Sequence, residues 1–170
     1  VSTGLYEEIT PISVPAGVAI VGDELRSTTV QPQVGYETND MFRVRNGCGI
    51  RNLTMQGMSG VLGSVDNYGA QIPNTGAYVA LDPGAGPADT SVWVTNKSTY
   101  VQNCTTIGTA CIGMKVDGAL HNGGNKSIVA NDFTQVITDG IGMWCNADGK
   151  AELVSVFTYY CLLYTSPSPR

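Results

Sequence analysis

The strongest constraint on this chain is a set of short motifs that return at intervals of 28 and 29 residues. Val101-Gln102-Asn103 returns as Val129-Ala130-Asn131, and Ile112-Gly113-Met114 returns as Ile141-Gly142-Met143. Ile50-Arg51-Asn52, followed by Leu53-Thr54, is an earlier copy of the first motif. A fixed period of this length marks stacked units, none of which can bury its apolar face alone. The repeats are β-branched runs broken by Gly, Pro, Asn and Asp, and helical periodicity is almost absent. They predict an all-β chain, a single-stranded right-handed parallel β-helix, forming one domain over 1–160.

The strand pattern agrees with the period. Ile12-Ser13-Val14, Val18-Ala19-Ile20-Val21 and Ser27-Thr28-Thr29-Val30 are stopped by Pro15-Ala16-Gly17, Gly22-Asp23 and Pro32 in turn. Three strands in about 25 residues make one coil of a three-sided helix. Met41-Phe42-Arg43-Val44, a turn at Asn46-Gly47 and Ile50–Met55 form the next. An Asn recurring at one place in each coil would mark a left-handed corner, its amide bonding to the Asn one coil above. Asn52, Asn103 and Asn131 are the candidates for that ladder. Further strands are expected near 91–94, 100–106, 111–116, 127–130, 133–137, 141–144 and 153–158. Which residues face inward after each Asn stays open, since Leu53, Cys104 and Asp132 take matched places on the 28-residue alignment and differ in polarity.

Residues 57–90 break the rhythm with seven Gly and three Pro, and only Tyr78-Val79-Ala80-Leu81 reads as strand. Ile50 and Val101 lie 51 residues apart, the length of about two coils. The segment is therefore either one degenerate coil or a loop-rich excursion from the rod. Long loops on a stiff scaffold carry binding, and Tyr68 is the candidate contact there.

Composition excludes some partners. Charged residues are 14% of the 170, against about 25% in typical soluble domains. The net charge is −5 without a basic run, so a nucleic-acid phosphate backbone is not an expected partner. No window holds the ~18 continuous apolar residues of a membrane span, and no membrane insertion is expected. Cys48, Cys104, Cys111 and Cys145 show no metal-ligand spacing, and Cys104 and Cys111 sit in apolar runs. Reduced, buried thiols are expected, consistent with assembly in a reducing cytoplasm, and no zinc site.

The two ends read differently from the middle. The chain opens at Val1 in mid-motif and is expected to be truncated there. Cys161-Leu162-Leu163-Tyr164-Thr165-Ser166-Pro167-Ser168-Pro169-Arg170 resembles the in-frame translation of a transposase-type sequencing adapter. Residues 161–170 are accordingly expected to be a non-native tail that does not continue the β pattern, and the chain a metagenomic fragment truncated at both ends.

The run from Ile12 through Pro15-Ala16-Gly17, Val18–Val21 and Gly22-Asp23 to Arg26 resembles the opening coils of pectate-lyase-like β-helices. The run Leu120-His121-Asn122-Gly123-Gly124-Asn125-Lys126 through Asn131-Asp132-Phe133-Thr134-Gln135 is similar to large virion structural proteins of marine tailed phages, cyanophages among them. The resemblance covers about 1–160. It implies a tail-fibre or tailspike-type component on an extracellular virion, assembled in the host cytoplasm and trimeric in this class. It implies other virion proteins and a host-surface glycan or protein as partners. It carries no catalytic site with it.

Catalysis on that scaffold would need particular groups. Lyases of the superfamily imply clustered Asp for calcium and a Lys or Arg base. Hydrolases need two carboxylates about 5–10 Å apart. Asp117, His121, Lys126, Asp132 and Asp139 are the residues that would line such a groove. The Asp-Gly pairs at 117, 139 and 148 are also ordinary turn dipeptides, and the hydrolase signatures Gly-His-Gly, Asp-Asp and Arg-Ile-Lys are absent. Trp93 and Trp144, with Tyr100, Tyr159 and Tyr160, would stack on sugars if exposed and fill the core if not. The expectation is a non-catalytic host-recognition module without cofactor. A polysaccharide lyase or depolymerase, with calcium, is the alternative, and a bacterial surface adhesin is the third reading.

Overall fold

The computed structural model of the chain describes residues 1–65, 71–73, 76–81, 98–118, 127–146 and 149–165. Thirteen strands form: β1 (Gly4–Glu8), β2 (Ile12–Val14), β3 (Ala19–Val21), β4 (Thr28–Pro32), β5 (Phe42–Val44), β6 (Gly49–Ser59), β7 (Leu62–Val65), β8 (Gln71–Pro73), β9 (Ala77–Leu81), β10 (Thr99–Thr109), β11 (Ile112–Asp117), β12 (Ser127–Asn146) and β13 (Lys150–Thr165). Nine of them run in the order β1-β4-β6-β10-β12-β11-β9-β5-β2 as one all-parallel sheet, nearly closed around an axis. β13 adds to β12, and β3 adds to β6. The molecule is all-β and β-helix-like.

Register sorts the strands into three stacks. The first holds 19–21, 49–51, 99–102, 127–131 and 150–154. The second holds 4–8, 28–32, 53–59, 104–109, 133–138 and 156–159. The third holds 12–14, 42–44, 77–81, 112–117, 141–146 and 161–165. Parallel neighbours place like positions one strand spacing apart, about 4.8 Å. Each stack thus builds columns of side chains running from coil to coil.

Those columns make the core. Ile50, Val101 and Ala130 stand opposite one another, and so do Leu53, Cys104 and Phe133. All six are buried and belong to one interior cluster. Phe42, Val79, Met114 and Met143 form the matching column of the third stack. A fully buried side chain of this size contributes about 1.5–3 kcal/mol, so the interior columns dominate the fold's stability. Buried threonines are tied to turns: Thr54 Oγ1 donates to the Leu25 carbonyl at 2.6 Å and Thr99 Oγ1 to the Arg45 carbonyl at 2.6 Å.

The corner between the first and second stacks is a single residue from Asn52 onward. Asn52, Asn103, Asp132 and Ser155 take φ of 56°, 50°, 51° and 51° there. The ladder expected at Asn52, Asn103 and Asn131 is right for its first two rungs: Asn103 Nδ2 donates to Asn52 Oδ1 at 3.0 Å. Its third rung is corrected. Asn131 stands opposite Gln102, still within the strand, and Asp132 is the residue over Asn103. The shift is 29 throughout this coil, so the inward position after the corner is Leu53, Cys104, Phe133. The polarity conflict vanishes, because Asp132 belongs to the corner itself.

Two further expectations change. β10 pairs directly with β6, Val101 opposite Ile50, so the 51 residues between them climb one coil and not two. Within that coil Ala77–Leu81 supplies the third-stack strand, while β7 and β8 leave the sheet as an antiparallel hairpin. β8 comes back against β12. The tail expected outside the fold is partly inside it: β13 runs on to Thr165, with Cys161 opposite Gly140 and Leu162 opposite Ile141. A parallel ladder is made of backbone groups, so a segment of foreign side-chain pattern can join it where no Pro removes a donor.

Candidate functional site

The strand-alternation rule picks out one surface of the third stack. Met114, Val116 and Met143 point into the interior cluster, so their neighbours Lys115, Asp117, Trp144 and Asn146 face outward. Lys115 stands opposite Trp144, and Asp117 opposite Asn146, one coil apart. The four make a two-by-two patch, each side chain half-buried. Lys115 Nζ lies 4.5 Å from the centroid of the Trp144 ring. Such a cation–π contact at a half-exposed site contributes about 0.5–1 kcal/mol and holds the indole in one orientation. The ring also packs against a second apolar cluster, Ala77, Ala80, Ile112 and Ile141, separate from the interior one. The patch therefore offers a fixed aromatic edge with an ammonium, a carboxylate and an amide around it. It suits hydrogen bonding and stacking.

Two of the predicted residues, Asp117 and Trp144, thus come together diagonally on one face. Lys115 and Asn146 were missed. The signal for them was present: extending the Ile-Gly-Met repeat by three residues sets Lys115-Val116-Asp117 over Trp144-Cys145-Asn146.

The acidic residues that a catalytic groove would need lie apart among the described residues. Asp132 is exposed at the corner between the first and second stacks, and Asp139, with φ 54°, is exposed at the corner between the second and third. The strand between them separates the two by roughly 20 Å at about 3.3 Å per residue. Asp117 stands over Asn146, seven residues beyond Asp139, which is again roughly 20 Å away. These spans exceed the 5–10 Å that a hydrolytic carboxylate pair requires. His121, Lys126, Tyr68 and Trp93 lie outside the described residues. No group of three or more His, Cys, Asp or Glu that could hold a metal ion occurs among the described residues.

The thiols are placed as the composition suggested. Cys48, Cys104 and Cys111 are buried, and Cys145 is half-buried. Burial pushes the Cys104 thiol up to about 11 and raises those of Cys48 and Cys145. Thiols held protonated in this way are poor nucleophiles. Comparison of the chain with protein-family models, with curated proteins and with solved structures finds no match.

Proposed function

We propose that this chain is a rigid module of a virion-surface protein, of tail-fibre or tailspike type, that recognises a host-cell surface without catalysis. In this reading the stacked coils are a right-handed parallel β-helix of the pectate-lyase-like kind, and the full protein is a homotrimer that also contacts other virion proteins. The observation that carries it is the side face itself: register-locked columns of outward residues on a stiff parallel sheet, with Lys115, Asp117, Trp144 and Asn146 as the ligand-facing patch. The phage setting rests on the resemblance of 120–135 to marine tailed-phage virion proteins. The wide separation of Asp117, Asp132 and Asp139 weighs against a depolymerase.

The test uses the labelled chain with marine cyanobacterial cells and their purified surface polysaccharide. Saturable binding, weakened several-fold by Trp144→Ala in a folded variant, without new reducing ends or unsaturated products, is the expected result. Product formation would replace the reading with the polysaccharide lyase or depolymerase. Absence of binding to cells and glycan alike would leave a purely structural module.

A further inference from the structure

One inward column of the second stack runs through six coils: Tyr6, Val30, Met55, Thr106, Gln135 and Thr158, each opposite the next. It changes character half-way. Val30 and Met55 are buried in the apolar interior, with Tyr6 packed against it. Thr106 and Gln135 are fully buried and polar, and Thr158 is exposed on β13.

Other buried threonines bond to backbone: Thr10 Oγ1 donates to the Tyr36 carbonyl at 2.9 Å like Thr54 and Thr99 to theirs, and Thr28 Oγ1 accepts the Glu24 N–H at 3.4 Å. Thr106 Oγ1 and both polar atoms of the Gln135 amide have no hydrogen-bond partner among the described residues. A direct bond from the Thr106 hydroxyl to Gln135 Oε1 would still leave the two amide protons unmet. Buried amides in native proteins find a partner, and where protein supplies none, ordered water does, making about three bonds. Their neighbours in the column, Met55 and Thr158, carry no ionisable group. Thr106 is the short residue between Met55 and Gln135 in the column. Gly113 lies flat against the amide, where a Cβ would stand 2.7 Å from Gln135 Cδ and Nε2.

We propose that Thr106 and Gln135 form a hydration site inside the coil stack, binding ordered water through the Gln135 amide and the Thr106 hydroxyl, with Thr158 continuing the polar path to the open end. The apolar half of the column then stays dry, and hydration is confined to the coils of β10, β12 and β13.

The direct test is water-to-protein cross-relaxation on the isotope-labelled chain, read at the assigned side-chain amide protons of Gln135. Cross-peaks of the sign that marks long-lived water are expected. Oxygen-17 relaxation of the solvent should lose its long-lived component in the near-isosteric Thr106→Val/Gln135→Met double variant. A folded wild type without water cross-peaks at Gln135, or an undiminished long-lived component in a folded double variant, overturns the proposal. If the double variant does not fold, the wild-type cross-peaks decide alone.

Discussion

Asn103 shows how one residue type is selected by backbone geometry. At φ 50° an L-residue pays about 1–2 kcal/mol, and Asn pays least because its short amide bonds locally. Its Nδ2 also reaches Asn52 Oδ1. Asn103→Ala is expected to lower stability by about 1–2 kcal/mol in urea denaturation, and Asn103→Gly, which accepts the same φ, by less. The ladder was half legible because the Val-x-Asn pattern recurs at 28 residues while the strands pair at 29, a difference that only the register reveals. Its continuation through Asp132 and Ser155 was hidden by the change of residue type. The Cys104 thiol makes a second prediction. Its folded value of about 11 lies above the ordinary 9.0. The unfolded chain therefore releases that proton first as pH rises. The thiol's contribution is whole below about pH 9 and is lost progressively toward pH 11, of the order of 2 kcal/mol. Urea midpoints across that range should fall, and less so in Cys104→Ala measured against its own neutral-pH value. At neutral pH, mapped alkylation should mark Cys145 ahead of Cys48, Cys104 and Cys111.

Strands fail where their columns lose room. Gly108 in β10 has the Tyr78 hydroxyl, the Cys111 sulfur and the Met58 carbonyl at 2.6, 2.7 and 2.9 Å from where a Cβ would stand. Tyr78 is buried, accepts the Met58 N–H at 3.2 Å and donates to the Ile107 carbonyl. Desolvation raises its phenol pKa well above the usual value, so it stays a donor across the working range. Gly108→Ala would push that hydroxyl off both partners. A loss of about 2–4 kcal/mol is expected in urea denaturation, with Tyr78→Phe as the control background, which lacks the hydroxyl and tolerates the added methyl better. Most strands were readable as β-branched runs, since a buried parallel strand needs them. The climb from β6 to β10 was not: a period counts residues and cannot distinguish a second coil from the β7–β8 hairpin. Nor was the separation of the acidic candidates, because nearness in number, as between Asp132 and Asp139, becomes distance along an extended strand.

Among the described residues the stack of strands presents an unpaired edge at each end. β13 pairs on one side only, with β12, and exposes Leu153, Val154, Phe157, Tyr159 and Tyr160. At the other end β1, β2 and β3 each have one neighbour, with Leu5, Ile9 and Val21 exposed. Unpaired parallel edges beside apolar side chains favour strand addition. The isolated chain is expected to associate with rising concentration in sedimentation velocity, and Phe157→Lys to reduce that association while changing stability by under about 1 kcal/mol. A concentration-independent monomer would refute the expectation. The single-residue corner at Asn52, Asn103, Asp132 and Ser155 has a wider consequence. From Asn52 onward this vertex is held to a single residue per turn, whereas in the coil before it six residues, 22–27, span the same corner between β3 and β4. A corner that spends one residue per turn leaves no slack for the coils to slide, so from Asn52 upward this edge keeps the pitch of the stack while sequence length can vary elsewhere.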